Sequence, residues 1–216
     1  MGTWLTRIDP DPRNRQARED LRDAVALHHR VMSLVPDDLG PQPRQEAGVL
    51  FRLDHTPTGT YLLVQSALPP RLDKLPAGYG TTRTRPLDPL LEALRPGLAI
   101  TYRITANPTR KLGHHTSAGT PRSVVPLKGA DIEEWWQRKA AEAGIRLHTL
   151  ARADAGSALG THRGGGHRIL HARTRIDGTA TITDPTALHT ALLAGIGRGK
   201  PYGCGLLTIA PLATSH

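Results

Sequence analysis

A glycine-rich segment, GIGRGKPYGCGLL (195–207), combines the residue types that commonly bind phosphate. It contains five glycines, Arg198, Lys200 and Cys204, the only cysteine of the chain. Backbone N–H groups made accessible by glycine, together with two cations, suit a phosphodiester backbone. A tight crossover from a helix to a strand would need glycines for positive φ angles. The pattern leaves both interpretations open.

Nucleotide-binding motifs do not fit this segment. A Walker A loop needs Ser or Thr after Gly-Lys, but Pro201 follows Lys200. Such loops also lead from a strand into a helix, whereas this segment is predicted to lead from a helix into a strand. The G-x-G-x-x-G pattern fails because Lys200 or Tyr202 takes the place of the third glycine. A nucleotide-binding regulator is therefore disfavoured, and we expect no ATP or GTP binding.

Histidines supply the second candidate chemistry. In the segment ALHHRVMSLVPD, helical spacing places His28 on the apolar side and His29 near its edge. Histidines in such positions are usually satisfied core residues. An imidazole beside a cleft is also a good proton-transfer group, because its unperturbed pKa of about 6.5 is close to neutral pH. The pattern leaves open which role His28 has.

A metal site is not predicted. His167 and His171 fall at i and i+4 of a predicted strand, about 13 Å apart, which is too far to share one ion. No cysteine or carboxylate stands at ligand spacing beside them. We therefore expect a protein without a metal or another cofactor.

The excess of basic over acidic residues indicates what kind of partner the protein binds. The 216 residues include 28 Lys and Arg against 19 Asp and Glu, a formal net charge of +9, which favours a polyanionic partner and nucleic acid first. A basic protein without such a partner is the alternative that charge alone leaves open. No run approaches the roughly 20 apolar residues of a membrane span. The single cysteine is typical of a reducing compartment, so we expect a cytoplasmic protein without a membrane partner.

The elements that must position these residues follow the order β-α-β-β-(α)-β twice. One helix is predicted over 14–35, a hairpin over 48–68 and a further strand over 98–108. The second half has a similar rhythm, and its last predicted helix leads into the glycine-rich segment. This order predicts an α+β fold of two tandem ferredoxin-like (RRM-like) domains, at residues 1–95 and 96–216.

Five segments of the chain resemble one family, the CasE-type CRISPR repeat-processing endoribonucleases of the repeat-associated RNA-binding superfamily. These parts are LLAGIGRGKPYGCGLLTIAPL, LHHRVMSLVPD, YLLVQSALPP, and YRITANPTRK with VPLKGADIEEWWQRKA. The resemblance covers essentially the whole chain. The resemblance implies two ferredoxin-like domains that bind the stem-loop of a CRISPR repeat RNA. It also implies metal-independent cleavage at the 3′ base of the stem, leaving a 2′,3′-cyclic phosphate and a 5′-OH. The product would be mature crRNA for antiviral defence.

The same resemblance implies further partners and a catalytic residue. The protein would be a monomer when free and then join the other subunits of a type I-E surveillance complex. The family's catalytic histidine stands eight residues before the proline that ends the first helix, which from Pro36 gives His28. A helper tyrosine often precedes that histidine by three positions, but here the residue is Val25, so the helper role is either vacant or filled from elsewhere, with His29, Lys200 and Tyr202 as the candidates. A non-catalytic crRNA-binding subunit of the same complex is the alternative.

Candidate RNA-binding residues come from the basic and glycine-rich segments. Lys200 and Arg198 are expected to contact phosphate, with Tyr202 beside them. Arg110 and Lys111 begin the first basic loop, and Arg163 and Arg168 flank the glycines at 164–166; each of these four could equally be a solvated surface charge. The aromatic motif of ordinary RRM proteins is absent, so phosphate and shape contacts are expected to dominate over base stacking.

Overall fold

The computed structural model describes residues 2–114, 120, 123–161 and 168–212. None of the helices in this part of the chain is long and apolar enough to cross a membrane.

The first half of the chain forms a four-stranded antiparallel sheet with strand order β2-β3-β1-β4. Helices cover one face of it, and the core between them contains the fully buried Ile8, Phe51 and Leu62. The elements, in chain order, are β1 (Trp4–Pro10), α1 (Arg15–Arg22), α2 (Ala24–Met32), α3 (Pro43–Glu46), β2 (Leu50–Thr56), β3 (Gly59–Ser66), the 3₁₀ turn η1 (Leu72–Lys74), β4 (Gly80–Pro86) and α4 (Asp88–Glu92).

The second half forms a sheet with strand order β11-β5-β10-β8, and β9 pairs with the first part of β10. Its core centres on Trp136, Ile104 and Ile176, none of them exposed by more than 1%. The elements are β5 (Ala99–Ala106), β6 (Thr109–Lys111), β7 (Val124–Pro126), α5 (Ala130–Glu142), β8 (Ile145–Leu147), β9 (Ala151–Thr161), β10 (Arg168–Ile182), α6 (Pro185–Ala194), the 3₁₀ turn η2 (Lys200–Tyr202) and β11 (Leu207–Pro211).

Both sheets have the ferredoxin-like arrangement. In each sheet, four strands form the main path, and they are numbered here in chain order. The first strand lies between the third and the fourth, the second lies beyond the third, and all neighbours are antiparallel. The predicted α+β class with two tandem ferredoxin-like folds is confirmed. In the first half, the turn η1 stands where the second crossover helix would be. The boundary at 95/96 falls between the last strand of the first sheet and the first strand of the second, and as a domain boundary it stays a prediction.

The single helix predicted over 14–35 is wrong in one respect. The chain breaks into α1 and α2 at Asp23, whose backbone is extended (φ −126°, ψ 120°). The Asp23 carboxylate accepts hydrogen bonds from the N–H groups of Val25 and Ala26, both at 2.8 Å, and so begins a new helix. Helix α3 also lies within a polar stretch that the sequence did not identify as helical.

The two sheets are joined by a buried arginine. Arg52 on β2 is paired with Asp54, and both side chains are only 3% exposed. The same guanidinium donates through Nη1 to Arg103 O at 3.0 Å and to Leu206 O at 3.2 Å, on strands β5 and the approach to β11. Arg52 therefore fixes the glycine-rich segment of the second half against β2 of the first.

Candidate active site

Helix α2 carries His28, and a buried polar network fixes its rotation. Arg30, two residues after His28, donates through Nε to Asp20 Oδ2 at 2.7 Å. The hydroxyl of Tyr79 donates to the same oxygen at 3.0 Å, and the Arg30 guanidinium lies 5.4 Å from the centre of the Tyr79 ring. Burial and the Asp20 charge raise the pKa of Tyr79, so that it remains a donor. Helix α2 is thus held to α1 through side chains adjacent to His28.

The two histidines of α2 differ in exposure, as their helical spacing predicts. His28 is half-buried and His29 is exposed, with ring centroids 5.9 Å apart. Val25, one turn before His28, is 8% exposed and belongs to the apolar side of the helix. His28 therefore combines partial burial with access to solvent, which suits a group that must exchange a proton with a ligand.

The glycine-rich segment is a tight crossover from α6 to β11. It closes through hydrogen bonds from Ile196 N to Gly205 O at 2.9 Å and from Gly205 N to Thr105 O at 2.8 Å. Gly195 has φ +72°, and a Cβ there would lie 2.7 Å from Leu50 Cδ2, so no larger residue fits. The crossover interpretation of the glycines is confirmed.

The turn η2, in the middle of this crossover, lies against both α2 and β2. At its end, a Cβ on Gly203 would lie 3.2 Å from the Phe51 ring, which shows how closely the backbone approaches β2. The fold therefore brings Lys200 and Tyr202 to the helix that carries His28. Arg198, just before the turn, is exposed.

Lys200 lies in an electropositive, partly desolvated place. Its side chain is half-buried, and burial lowers its pKa, with a further lowering by the charge of Arg44. Arg44 on α3 is itself half-buried, which lowers its pKa, and its Nη1 donates to Val49 O at 3.1 Å. A lysine held in this way is a candidate for contact with a negative charge.

Tyr202 belongs to a second small cluster. Its ring stacks on His171 from β10, with centroids 4.8 Å apart and an interplanar angle of 22°. The side-chain amide of Asn107, 4% exposed, donates to His171 Nδ1 at 2.9 Å, which leaves the proton of the neutral ring on Nε2. Burial and the charge of Arg198 lower the pKa of His171, so the neutral form is favoured.

Cys204 takes no part in proton or group transfer at neutral pH. It is fully buried, and burial raises the pKa of its thiol to about 12. The thiol therefore stays protonated and inaccessible, unlike a nucleophilic cysteine.

Of the four other predicted RNA-binding residues, the structure describes the side chains of two. Arg110 and Lys111 are exposed on β6, which pairs with β7 and begins two residues after Asn107. Arg163 lies outside the described residues, as does the side chain of Arg168, although the backbone at 168 begins β10. In the described part of the chain, no three His, Cys, Asp or Glu side chains come together as a metal site would require.

Three residues of the site were not among the predicted ones. Arg44 stands in a polar stretch without periodicity, so nothing in its local sequence marked it. His171 was considered only as a metal ligand, and Asn107 lies inside the segment YRITANPTRK without a pattern of its own. Asn107 and His171 come together because β10 pairs with β5, whereas Arg44 comes from the separate helix α3.

This geometry can be compared with known proteins. Residues 3–211 match the family model described as CRISPR associated protein. The chain is 28% identical to CRISPR-associated endoribonuclease Cse3 of Thermus thermophilus, over 96% of this chain and 100% of that protein. It is also 28% identical to CRISPR system Cascade subunit CasE of Escherichia coli, over 91% and 96%.

Solved structures of similar proteins match this chain over almost its whole length. Thermus thermophilus Cse3 bound to an RNA representing a pre-cleavage complex superposes with a TM-score of 0.79, at 26% identity, covering 98% of this chain and 100% of that one. A chain of a CRISPR RNA-guided surveillance complex in a pre-nicking state gives a TM-score of 0.73 at 42% identity, with 97% and 100% covered. The chain belongs to the CRISPR-associated protein family, and within it to the CasE type.

Proposed function

We propose that this protein is an endoribonuclease that binds the stem-loop of a CRISPR repeat RNA and cleaves at the 3′ base of the stem. The observation that carries the proposal is the contact between α2, which bears His28, and the turn that bears Lys200. A proton-transfer group and a partly desolvated cation on adjoining elements are what phosphodiester cleavage requires. The similarity to an endoribonuclease, and to a relative solved with pre-cleavage RNA, supports the substrate class.

The chemistry we assign needs no metal ion. The 2′-OH attacks the adjacent phosphorus, the P–O5′ bond breaks, and the products carry a 2′,3′-cyclic phosphate and a 5′-OH. The 2′-OH proton passes to a base and the leaving 5′ oxygen receives one from an acid; His28 performs one of these two transfers. Lys200 and Arg198 stabilise the charge on the phosphorane oxygens. The 2′-OH nucleophile makes RNA, and not DNA, the substrate.

The product has a further destination in this proposal. Mature crRNA remains bound, and the protein, a monomer when free in the cytoplasm, becomes a subunit of a type I-E surveillance complex. Two relatives support this: one is named a Cascade subunit, and another was solved within a CRISPR RNA-guided surveillance complex.

The mechanism is tested by cleavage of the cognate repeat RNA in EDTA. We expect the wild type to cut the RNA, and the rate to fall by about 10²–10⁴-fold in His28→Ala because proton transfer is lost. A 2′-deoxy substitution at the scissile nucleotide should stop the reaction, because it removes the nucleophile. His189→Ala is the matched control: it removes an exposed imidazole on α6, which has no assigned role, and should stay near the wild-type rate. Loss of activity in EDTA, or cleavage that survives either change, would contradict the mechanism.

One observation favours the non-catalytic alternative. Val25 occupies the position of the family's helper tyrosine, and it is buried and apolar. It therefore offers no hydroxyl for proton transfer, and assistance would have to come from another element. Tight binding of repeat RNA with no cleavage by the wild type would identify the protein as a crRNA-binding subunit without catalysis.

A further inference from the structure

We infer that Arg44 and Lys200 together form a binding site for one phosphate group of the RNA backbone, beside His28. This inference rests on the proposed function and adds a residue, Arg44, that the sequence did not indicate. Arg44 comes from α3 in the first half of the chain, and Lys200 from η2 in the second. The site therefore exists only where the two halves meet.

The pairing of two other arginines that are withdrawn from water contrasts with that of Arg44 and Lys200. Arg30 and Arg52, with side chains 18% and 3% exposed, each have an aspartate within 2.9 Å. Arg44 and Lys200 are also withdrawn from water, but among the described residues neither is paired with a carboxylate. The only hydrogen bond of the Arg44 guanidinium in this part of the chain goes to the carbonyl of Val49.

Arg44 and Lys200 approach each other at the start of β2, because the Arg44 guanidinium bonds to Val49 O and η2, which carries Lys200, lies against β2. Two such cations without a carboxylate partner among the described residues weaken the unliganded state. Burial penalises both charges, and the Arg44 charge acts unfavourably on Lys200. An anion placed between them would remove this penalty and gain two charge-assisted interactions. The folded protein therefore contains a preformed position for a negative ligand.

The chemistry of the two side chains favours phosphate. Arg44 uses one N–H for Val49 O, and the remaining donors of its planar guanidinium can form a bidentate contact with phosphate oxygens. Lys200 adds a compact charge from η2. Because η2 also lies against α2, a phosphate held here would be close to His28, on the path of the RNA strand.

The test uses repeat RNA with a 2′-deoxy scissile nucleotide, so that binding is measured without cleavage. We expect Arg44→Gln to weaken the Kd about tenfold and to reduce the dependence of log Kd on log salt by about one unit. Arg83→Gln is the matched control, because Arg83 is exposed on β4, at the sheet edge opposite β2. It should leave both quantities unchanged.

A second measurement identifies the phosphate and separates binding from folding. Methylphosphonates, which remove the phosphate charge, are placed one at a time near the scissile position of the RNA. One of them should weaken wild-type binding about as much as Arg44→Gln does. The same methylphosphonate should weaken binding by the Arg44→Gln variant only slightly further. Arg44→Lys keeps a cation, so it should retain the dependence of log Kd on log salt. This variant replaces Arg44→Gln in the test if the glutamine variant has a lowered thermal midpoint. Unchanged affinity and slope in a folded Arg44→Gln protein would overturn the inference. Wild-type protein that does not bind the RNA would instead overturn the proposed function.

Discussion

At the scale of single residues, the site is built from side chains that are partly removed from water. Burial lowers the pKa of Lys200 and His171 and raises that of Cys204. The first two gain from contact with an anion, whereas the thiol is silenced. Half-burial thus leaves Lys200 and His171 within reach of a ligand, whereas full burial keeps the Cys204 thiol from reacting.

His171 should make the stability of the protein depend on pH. Its pKa is lowered in the folded state by burial and by Arg198, so acidification protonates the unfolded chain first. The stabilisation is present above about pH 6.5, the unfolded value, and is lost as the pH falls through the folded pKa. His171→Phe keeps a ring against Tyr202 but does not titrate. We expect the thermal midpoint of the wild type to fall more than that of His171→Phe between pH 7.5 and pH 5.5. Equal shifts would show that His171 does not titrate below its ordinary value.

At the scale of elements, the proposed chemistry depends on helix α2. It is only nine residues long, so its own propensity contributes little, and its position comes from the Asp23 cap and the Arg30–Asp20–Tyr79 network. A short helix held in this way can present His28 precisely although its ends are close to loops.

Asp20→Asn tests this dependence. The change removes the charge that binds Arg30 and Tyr79, and should lower the free energy of unfolding by about 1.5–3 kcal/mol. Because His28 lies on the same helix, the single-turnover cleavage rate should fall while the Kd for RNA stays near the wild-type value. Glu19→Gln is the control: its ion pair with Arg15 is exposed and 3.6 Å long. Equal cleavage rates and equal stabilities of the two variants would show that the Asp20 network does not position helix α2.

Element order could be predicted from the sequence far better than the site. Alternating patterns and turn residues located most strands, including the hairpin of β2 and β3, and the twofold βαββαβ order followed from them. The break at Asp23 was missed because apolar spacing continues across it, and only the cap geometry interrupts the helix. Arg44, Asn107 and His171 could not be predicted as a group, since strand pairing and the crossover bring them to η2 from three separate segments.

At the scale of the whole molecule, Arg52 connects the two halves. Its ion pair with Asp54 is almost completely buried, and its contacts cross to strands of the other sheet. Gln65 adds a second buried link, donating through Nε2 to Leu192 O at 2.9 Å. These polar contacts fix how the crossover carrying Lys200 sits against the sheet behind α2.

Arg52→Met should therefore be strongly destabilising. It leaves the Asp54 carboxylate buried without its partner, at a cost of about 3–5 kcal/mol in the free energy of unfolding. Arg7→Met is a matched control, because Arg7 and Asp9 have the same spacing on a strand but the Arg7 side chain is 47% exposed. That change should cost less than about 1 kcal/mol. Denaturant unfolding measures the stability of both variants. Similar unfolding midpoints would contradict the idea that Arg52 connects the two halves.

The crossover between α6 and β11 also has a consequence for how the activity arises during synthesis. Arg52 and Leu206, which it brings into contact, are 154 positions apart in sequence. Contacts of such high sequence separation form late, because the loop they close must first be ordered. A nascent chain can fold its first sheet and present His28 before the crossover has left the ribosome. We therefore expect a growing chain to be inert towards RNA, and the ability to cut to arise only when the end of the second sheet has docked.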